Sequence, residues 1–209
     1  MGLKMDDIKL WIARTNETIQ ENKEYLGDLD QAIGDGDHGI NMSRGFQEAA
    51  NKISSTEYKT VSDLIKDWAM VLLSKVGGAS GPLYGTALLK FSAALKDKEE
   101  IDYISFTEAV EEGVNGIILR GKAQEGDKTM LDVWSPLLTY LKGKETLDAK
   151  EFEGAAKNAM EKTKDLKAVK GRASYLGERS IGHIDAGAVS SYYLFSSLAQ
   201  IIEEEGIML

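Results

Sequence analysis

Apolar residues recur at spacings of three and four along nearly the whole chain, the pattern that predicts amphipathic α-helices. No segment alternates apolar and polar residues in the way that predicts a half-buried strand. The spacing therefore predicts an all-α protein of eight helices. Their approximate ranges are 6–25, 39–53, 61–76, 82–95, 105–118, 130–141, 148–160 and 186–203.

Local signals support several of these helix starts. Pro82 is favoured in a first helical turn, so the fourth helix is expected to begin there. Ser105 with Glu108 forms a capping box for the fifth helix, and Asp148 opens the seventh. Pro136 falls inside the sixth helix, where it should produce a kink or mark the early turns.

The connections between the predicted helices fall into two groups. Four are rich in glycine and in candidate chemistry: 30–39, 77–81, 121–129 and 170–185. The other three are plain polar links. Successive helices joined by short loops run antiparallel, so the four special connections would all meet at one end. This arrangement predicts an antiparallel, up-and-down bundle or barrel with one site at that end and a long final loop acting as a lid.

Composition narrows the class of protein. A chain of 209 residues favours a single domain over residues 1–209. The net charge of −9 argues against nucleic acid as a partner. The absence of cysteine excludes disulfides and thiolate chemistry. No apolar run is long enough to cross a membrane and the first residues do not fit a signal peptide, so we expect a cytoplasmic protein without a membrane partner.

Three aspartates form the most informative cluster in the sequence. Asp30, Asp35 and Asp37 lie close together, with Gly36 separating the last two. Carboxylates crowded in this way repel one another unless a cation lies between them. Oxygen ligands suit Mg²⁺, which often shares its ligand shell with phosphate oxygens. The cluster predicts a Mg²⁺ site that serves a nucleotide, and a solvated acidic turn is the alternative interpretation.

Two other motifs overlap this segment and are rejected. Residues 34–39 fit the dinucleotide pattern G-x-G-x-x-G, but no buried strand precedes them and the aspartates would repel a pyrophosphate. A calcium-binding loop beginning at Asp35 would require glycine and glutamate where Ile40 and Phe46 stand.

Two of the other connections contain candidate phosphate ligands. Residues 77–81 lack the P-loop pattern, but glycines and Ser80 ahead of a helix can hold a phosphate on free amides. A simple glycine turn is the alternative. Arg172 and Arg179 in the last connection suit phosphate as well, although Arg179 equally fits a surface pair with Glu178.

Several further candidates have two interpretations each. The two histidines, His38 and His183, suit contact with a phosphate or a metal-bound water, or a structural role. Asp185 suits a ribose hydroxyl or a helix cap. Thr129 suits a helix cap, and Met130 suits a base pocket or the core. With no cysteine and no G-x-S-x-G motif, we identify no nucleophile, and the site is equipped for the electrostatic part of phosphoryl transfer.

Four stretches together resemble the L-type subunits of bacterial dihydroxyacetone kinases: AIGDGDHG, GGASGPLYG, GDKTMLD and GRASYLGERSIGHIDAGA. The resemblance implies an eight-helix antiparallel barrel that binds ADP or ATP at one end. It also implies two Mg²⁺ ions on Asp30, Asp35 and Asp37. The implied nucleotide contacts are His38, Gly39, Ile40, Asn41, Ala79, Ser80, Gly121, Met130, Arg172, Asp185, Ala186 and Gly187. The phosphate loop and the next helix start add Gly78, Gly81 and Thr129. One departure is Ala186, where the family often has proline, and its effect should be mild.

The resemblance also implies a reaction and partners. In phosphotransferase-linked members, a phosphohistidine on an M subunit rephosphorylates ADP on the L subunit. The resulting ATP then phosphorylates dihydroxyacetone on a K subunit. The implied function is therefore that of a nucleotide-carrying subunit in a phosphoenolpyruvate-dependent kinase. The alternatives are a kinase subunit that uses free ATP, and a nucleotide-loaded module that binds a transcriptional regulator.

Overall fold

The computed structural model describes residues 2–209. Its α-helices are α1 (Met5–Glu21), α2 (Lys23–Ile33), α3 (His38–Ser54), α4 (Val61–Lys75), α5 (Ser80–Ala94), α6 (Tyr103–Gly121), α7 (Leu131–Lys142), α8 (Ala149–Lys162) and α9 (Ala186–Glu204). Two 3₁₀ segments, Thr163–Asp165 and Arg172–Ser180, lie between α8 and α9. Within residues 2–209 the only strand-like pairing is one isolated bridge between Leu3 and Ile101. The predicted all-α class is confirmed, and none of the described helices is long and apolar enough to span a membrane.

Eight of the helices form a closed ring. Helix α1 packs against α3, each helix from α3 to α8 packs against the next, and α9 returns to α1. The indole of Trp11 donates a 2.7 Å hydrogen bond to the Leu194 carbonyl, which joins the first and last helices of the ring. Helix α2 is additional and packs on α3 and α9. The predicted eight-helix barrel is therefore confirmed.

Large aromatic side chains fill the interior of this barrel. They pack mainly edge to face, an arrangement that aromatic rings prefer. The closest pairs have ring centroids 4.8 Å apart for Trp134 and Phe195 and 5.2 Å apart for Trp11 and Trp68. Every ring helix contributes at least one such buried residue: Trp11, Phe46, Trp68, Tyr84, Phe91, Phe106, Trp134, Phe152 and Phe195.

The first predicted helix differs from the structure in a way that affects the site. Its continuous run to Tyr25 is wrong, because Asn22 adopts φ −106° and ψ 16° and divides α1 from α2. The Asn22 amide donates to the Thr18 carbonyl at 2.8 Å, a side-chain bond that competes with helix geometry. Helix α2 then continues to Ile33, so Asp30 lies in its last turn rather than in a loop.

Two predicted helix starts also need correction. Helix α5 begins at Ser80, and Pro82 lies within its first turn, where a missing N–H costs no hydrogen bond. The Ser105 capping box is wrong, because the Asp102 carboxylate accepts from the Ser105 amide at 2.7 Å and caps α6 instead. The predicted cap at Asp148 is confirmed, since its carboxylate accepts from the Glu151 amide at 2.8 Å.

Candidate nucleotide and metal site

A cavity of about 550 Å³ opens at one end of the barrel. Residues from all four glycine-rich connections line it, so the predicted convergence of these connections is confirmed. Its volume falls within the range of small-molecule sites. Most of the predicted site residues line this cavity: Asp30, Asp35, Asp37, His38, Asn41, Gly78, Ala79, Ser80, Gly121, Thr129, Met130, Arg172, Asp185, Ala186 and Gly187.

Three predicted nucleotide contacts lie outside the cavity lining. A Cβ atom on Gly39 would overlap the Lys23 carbonyl, so this glycine allows α2 and α3 to pack closely. A Cβ on Gly81 would similarly meet the Val76 carbonyl. Ile40 is 56% exposed on α3. The nucleotide contacts of Gly39, Ile40 and Gly81 therefore stay predictions.

The three aspartates of the predicted metal site lie together at the cavity. Asp30, Asp35 and Asp37 each offer an oxygen within 4.8 Å of those of the other two. The Asp30 carboxylate also accepts from the backbone amides of Asp37 at 2.9 Å and His38 at 3.2 Å, which holds the turn that carries the cluster. Gly36 supports this turn with a φ of +76°. A donor set made entirely of carboxylate oxygens fits Mg²⁺.

Arg172 reaches the same cluster from the far part of the chain. Its guanidinium forms an ion pair with Asp35 at 2.9 Å, and the two side chains are 69% and 35% exposed. Gly171, with a φ of +63°, directs the chain into the 3₁₀ segment that begins at Arg172. A cationic group of the type that binds phosphate therefore lies beside the acidic cluster.

His38 is buried and held on both ring nitrogens. Its Nδ1 lies 3.2 Å from the Ser80 hydroxyl and its Nε2 lies 3.0 Å from the Ser190 hydroxyl. The Tyr84 hydroxyl extends this hydrogen-bond network, since it lies 2.8 Å from the Ser190 hydroxyl and 2.9 Å from the Ser191 hydroxyl. Burial lowers the pKa of His38, although Asp30 and Asp37 oppose the shift. The imidazole is therefore neutral at pH 7 and orients Ser80 at the cavity wall.

Another part of the cavity lining combines a helix cap with apolar side chains. Asp185 caps α9 by accepting from the Ala188 amide at 2.8 Å, and burial raises the pKa of this carboxyl to about 7. Thr129 accepts from the Leu131 amide at 3.1 Å, as expected of a residue at a helix start. Met130 is buried, which confirms its place in the core, and it also lines the cavity, so its contact with a base stays a prediction. Leu83 and Ile117 complete the apolar wall.

Lys128 is the residue that the sequence analysis missed. It lines the cavity but is only 1% exposed, and its ammonium donates to the carbonyls of Thr163, Leu166 and His183. Burial lowers its pKa. Lysine is rarely buried, and nothing in the local sequence predicts this role. The candidates Arg179 and His183, by contrast, have exposed side chains and do not line the cavity.

Comparison with known proteins gives consistent matches. The sequence model of the DAK2 domain matches residues 32–200. The chain is 52% identical over 190 residues to the PEP-dependent dihydroxyacetone kinase 1, ADP-binding subunit DhaL, of Listeria innocua, covering 91% of this chain and 93% of that protein. It is 47% identical to the PTS-dependent dihydroxyacetone kinase, ADP-binding subunit DhaL, of Lactococcus lactis, covering 96% and 99%. The corresponding PEP-dependent subunit of Escherichia coli is 39% identical, with coverage of 98% and 100%.

A solved structure has the same fold. The crystal structure of the dihydroxyacetone kinase of C. freundii superposes with a TM-score of 0.73 and is 24% identical in sequence. The match covers 94% of this chain and 34% of that longer chain. This similarity supports the helical barrel described above.

Proposed function

Because the chain belongs to the DAK2 domain family and is a kinase subunit of the dihydroxyacetone kinase type, we propose that it carries the nucleotide of a phosphoenolpyruvate-dependent dihydroxyacetone kinase. A phosphohistidine on an M subunit rephosphorylates the bound ADP, and the γ-phosphoryl group then passes to dihydroxyacetone on a K subunit. The observation that carries this proposal is the meeting of an acidic cluster, a phosphate loop and an apolar wall in one cavity.

The cavity lining contains groups that suit each part of a nucleotide. Leu83, Ile117 and Met130 form an apolar surface for an adenine ring. The acidic cluster and Ser80 form a polar end for the phosphates. The C. freundii kinase has also been solved with AMP-PNP and Mg²⁺, which supports the same ligand classes for this chain.

The polar end contains the groups that phosphoryl transfer needs. Asp30, Asp35 and Asp37 would hold two Mg²⁺ ions, which neutralise phosphate charge when bound. The first amides of α5 and the Ser80 hydroxyl supply hydrogen-bond donors to phosphate oxygens. The Arg172 guanidinium lies at the same end and can donate two hydrogen bonds to one phosphate group. Neither the phosphohistidine donor nor the hydroxyl acceptor is a group of this chain, because both belong to the proposed partners.

A reconstituted assay tests the proposal. The purified chain is combined with K and M subunits of a related system, phosphoenolpyruvate and its general phosphotransferase proteins, and dihydroxyacetone phosphate is measured. Asp35→Asn removes a metal ligand and should lower turnover at least about 100-fold, the scale seen when charge stabilisation of a transferring group is lost. Asp28→Asn is the matched control, because Asp28 is an exposed aspartate of α2, close in sequence to the cluster, and lies outside the cavity lining. Full activity of Asp35→Asn would contradict the metal assignment.

A further inference from the structure

The ammonium of Lys128 uses all of its hydrogen-bonding capacity on backbone carbonyls. A lysine has three N–H donors, and Lys128 directs them to Thr163 at 2.7 Å, to Leu166 at 3.1 Å and to His183. No donor is left for a ligand in the cavity. The role of this side chain must therefore lie in the segments that it joins.

These carbonyls lie on both sides of one loop, residues 167–182. This loop contains most of the predicted lid connection, 170–185, and from here on we call residues 167–182 the lid. Thr163 and Leu166 precede the lid and His183 follows it. Other bonds close the same stem: the Gly182 amide donates to the Lys164 carbonyl at 2.8 Å, and the Ala168 amide donates to the Ser180 hydroxyl at 2.9 Å. Lys128 belongs to the α6–α7 connection, so it fastens the lid stem to a separate part of the barrel.

The Val169 amide also ties the lid to the α6–α7 connection, donating to the Asp127 carbonyl at 3.2 Å, and the rest of the lid is held more loosely. Gly171, Gly177 and Gly182 have φ values of 63°, 55° and 91°, and no atom lies within 4 Å of where their Cβ atoms would be. Among the described residues, the ion pair between the lid and the barrel is that of Arg172 with Asp35, and Arg172 is largely exposed. The lid is therefore a loop fixed at its stem that places Lys170, Gly171, Arg172 and Ala173 along the cavity.

Burial of the Lys128 ammonium costs more free energy than a side chain with only a packing role would require. The ammonium is buried, and no carboxylate of the described residues lies within ion-pair distance of it. The carboxylates of Asp132, Asp165 and Asp185 act on it only from a greater distance. Burying a charge in this way costs free energy that an apolar side chain of similar length would not. The charge is offset by its hydrogen bonds to the three lid-stem carbonyls, which it holds together.

We propose that Lys128 is a positioning residue that fixes the lid over the phosphate end of the cavity and thereby slows the release of bound nucleotide. This inference rests on the proposed function. Lys128 acts through the lid and Arg172 rather than by touching the ligand.

We call the three hydrogen bonds of Lys128 to the lid stem the clamp. Two lysine variants separate the effect of the clamp from a general effect of lost charge. Lys128→Met removes the three hydrogen bonds and keeps a side chain of similar length. Lys167→Met is the control, because Lys167 lies in the lid and its ammonium pairs with Glu178 at the surface, 2.8 Å away. Hydrogen exchange is measured without nucleotide, and the rate of ADP release is measured separately. We expect Lys128→Met to speed exchange in residues 166–183 and ADP release by about tenfold each, and Lys167→Met to change neither by more than about twofold.

The outcomes distinguish the two proposals. If the natural chain binds no ADP, the proposed function fails, while the exchange data still test the clamp. If the natural chain holds ADP and Lys128→Met releases it at the same rate, the positioning role is wrong. Faster exchange throughout the barrel rather than in the lid would also overturn it, because a purely structural lysine would act on the whole fold.

A second measurement covers the case in which Lys128→Met does not fold. In the natural chain, acylation of Lys128 by an amine-reactive reagent requires the lid stem to open. We expect Lys128 to react faster than the slowest core amides of α9 exchange, and Mg²⁺-ADP to slow this reaction. Labelling only at the rate of global unfolding would contradict a separate lid motion. Lys128→Arg, which keeps a buried cation, should restore slow ADP release at least in part.

Discussion

At the scale of single residues, the site separates charged groups from groups that burial keeps neutral. Asp35 and Arg172 are solvent-accessible and form an ion pair at the mouth of the cavity. His38 is buried and its pKa is lowered, so it contributes hydrogen-bond geometry rather than charge. The pKa of Asp185 is raised to about 7, so its charge changes near neutral pH. Neutral His38 therefore fixes the geometry of the site, while the charges of Asp35 and Arg172 are accessible to a ligand.

Arg172 should affect metal and nucleotide in opposite directions. Its positive charge beside Asp35 repels a divalent cation, so Arg172→Gln should bind Mg²⁺ alone about two- to fivefold more tightly, as expected for a partly exposed pair. The same variant should bind ADP more weakly because a phosphate contact is lost. Isothermal titration of each ligand measures both effects, with Lys167→Gln as a charge-matched control in the lid. Weaker binding of Mg²⁺ by Arg172→Gln would contradict this prediction.

Asp185 should make stability depend on pH in a defined direction. Because its pKa in the folded protein is raised to about 7, the folded state holds a proton that the unfolded state releases between about pH 4 and 7. Its contribution is present below pH 4 and is lost as the pH rises through 7. Asp185→Asn keeps a capping side chain without the titration, so its free energy of unfolding relative to the natural chain should rise by about 1–3 kcal/mol from pH 4 to 8. Urea denaturation across this range tests the prediction, and parallel pH profiles would contradict it.

At the scale of elements, the position of α2 sets the geometry of the metal site. Helix α2 places Asp30 in its last turn, and the Asp30 carboxylate holds the amides of Asp37 and His38 at the start of α3. Close packing at Gly39 makes this possible, since a Cβ there would overlap the Lys23 carbonyl of α2. The geometry of the metal cluster therefore depends on the close approach of α2 and α3 at Gly39, where a side chain would not fit.

Glycine-to-alanine variants test this close packing. Gly39→Ala should lower the free energy of unfolding by about 1–3 kcal/mol, the usual cost of overpacking, and should weaken Mg²⁺ binding because α2 must move. Gly154→Ala is the matched control, because Gly154 lies in α8 with no atom within 4 Å of where its Cβ would be. That variant should raise stability by about 0.5–1 kcal/mol. Thermal denaturation measures both, and equal effects at the two sites would contradict the packing argument.

The sequence predicts most of the barrel but not every part of the site. Periodic apolar residues identify the ring helices because each one buries a face in the same core. The break at Asn22 is hidden because the buried pattern continues from Ile19 to Leu26 on either side of it. The acidic cluster is visible because its members are close in sequence. The sequence does not reveal the hydrogen bonds of Lys128 or the ion pair of Arg172 with Asp35, because both depend on contacts between segments that are distant in sequence.

At the scale of the whole molecule, the barrel is a closed ring of helices with the candidate site at one end. The closed ring of helices and its aromatic core fix the four connections relative to one another. A bound nucleotide would meet its phosphoryl donor and acceptor only through that end. The proposed function therefore requires a nucleotide that stays bound to the chain while the partner subunits bind and dissociate.

The nucleotide content of the purified chain tests this claim most directly. The protein is isolated without added nucleotide and denatured, the released nucleotide and Mg²⁺ are quantified, and exchange of a second sample with labelled ATP is followed. We predict about one ADP and up to about two Mg²⁺ ions per chain, with slow exchange, as a phosphoryl-carrying site requires. A chain that is isolated empty and shows no affinity for ADP or ATP would contradict the account.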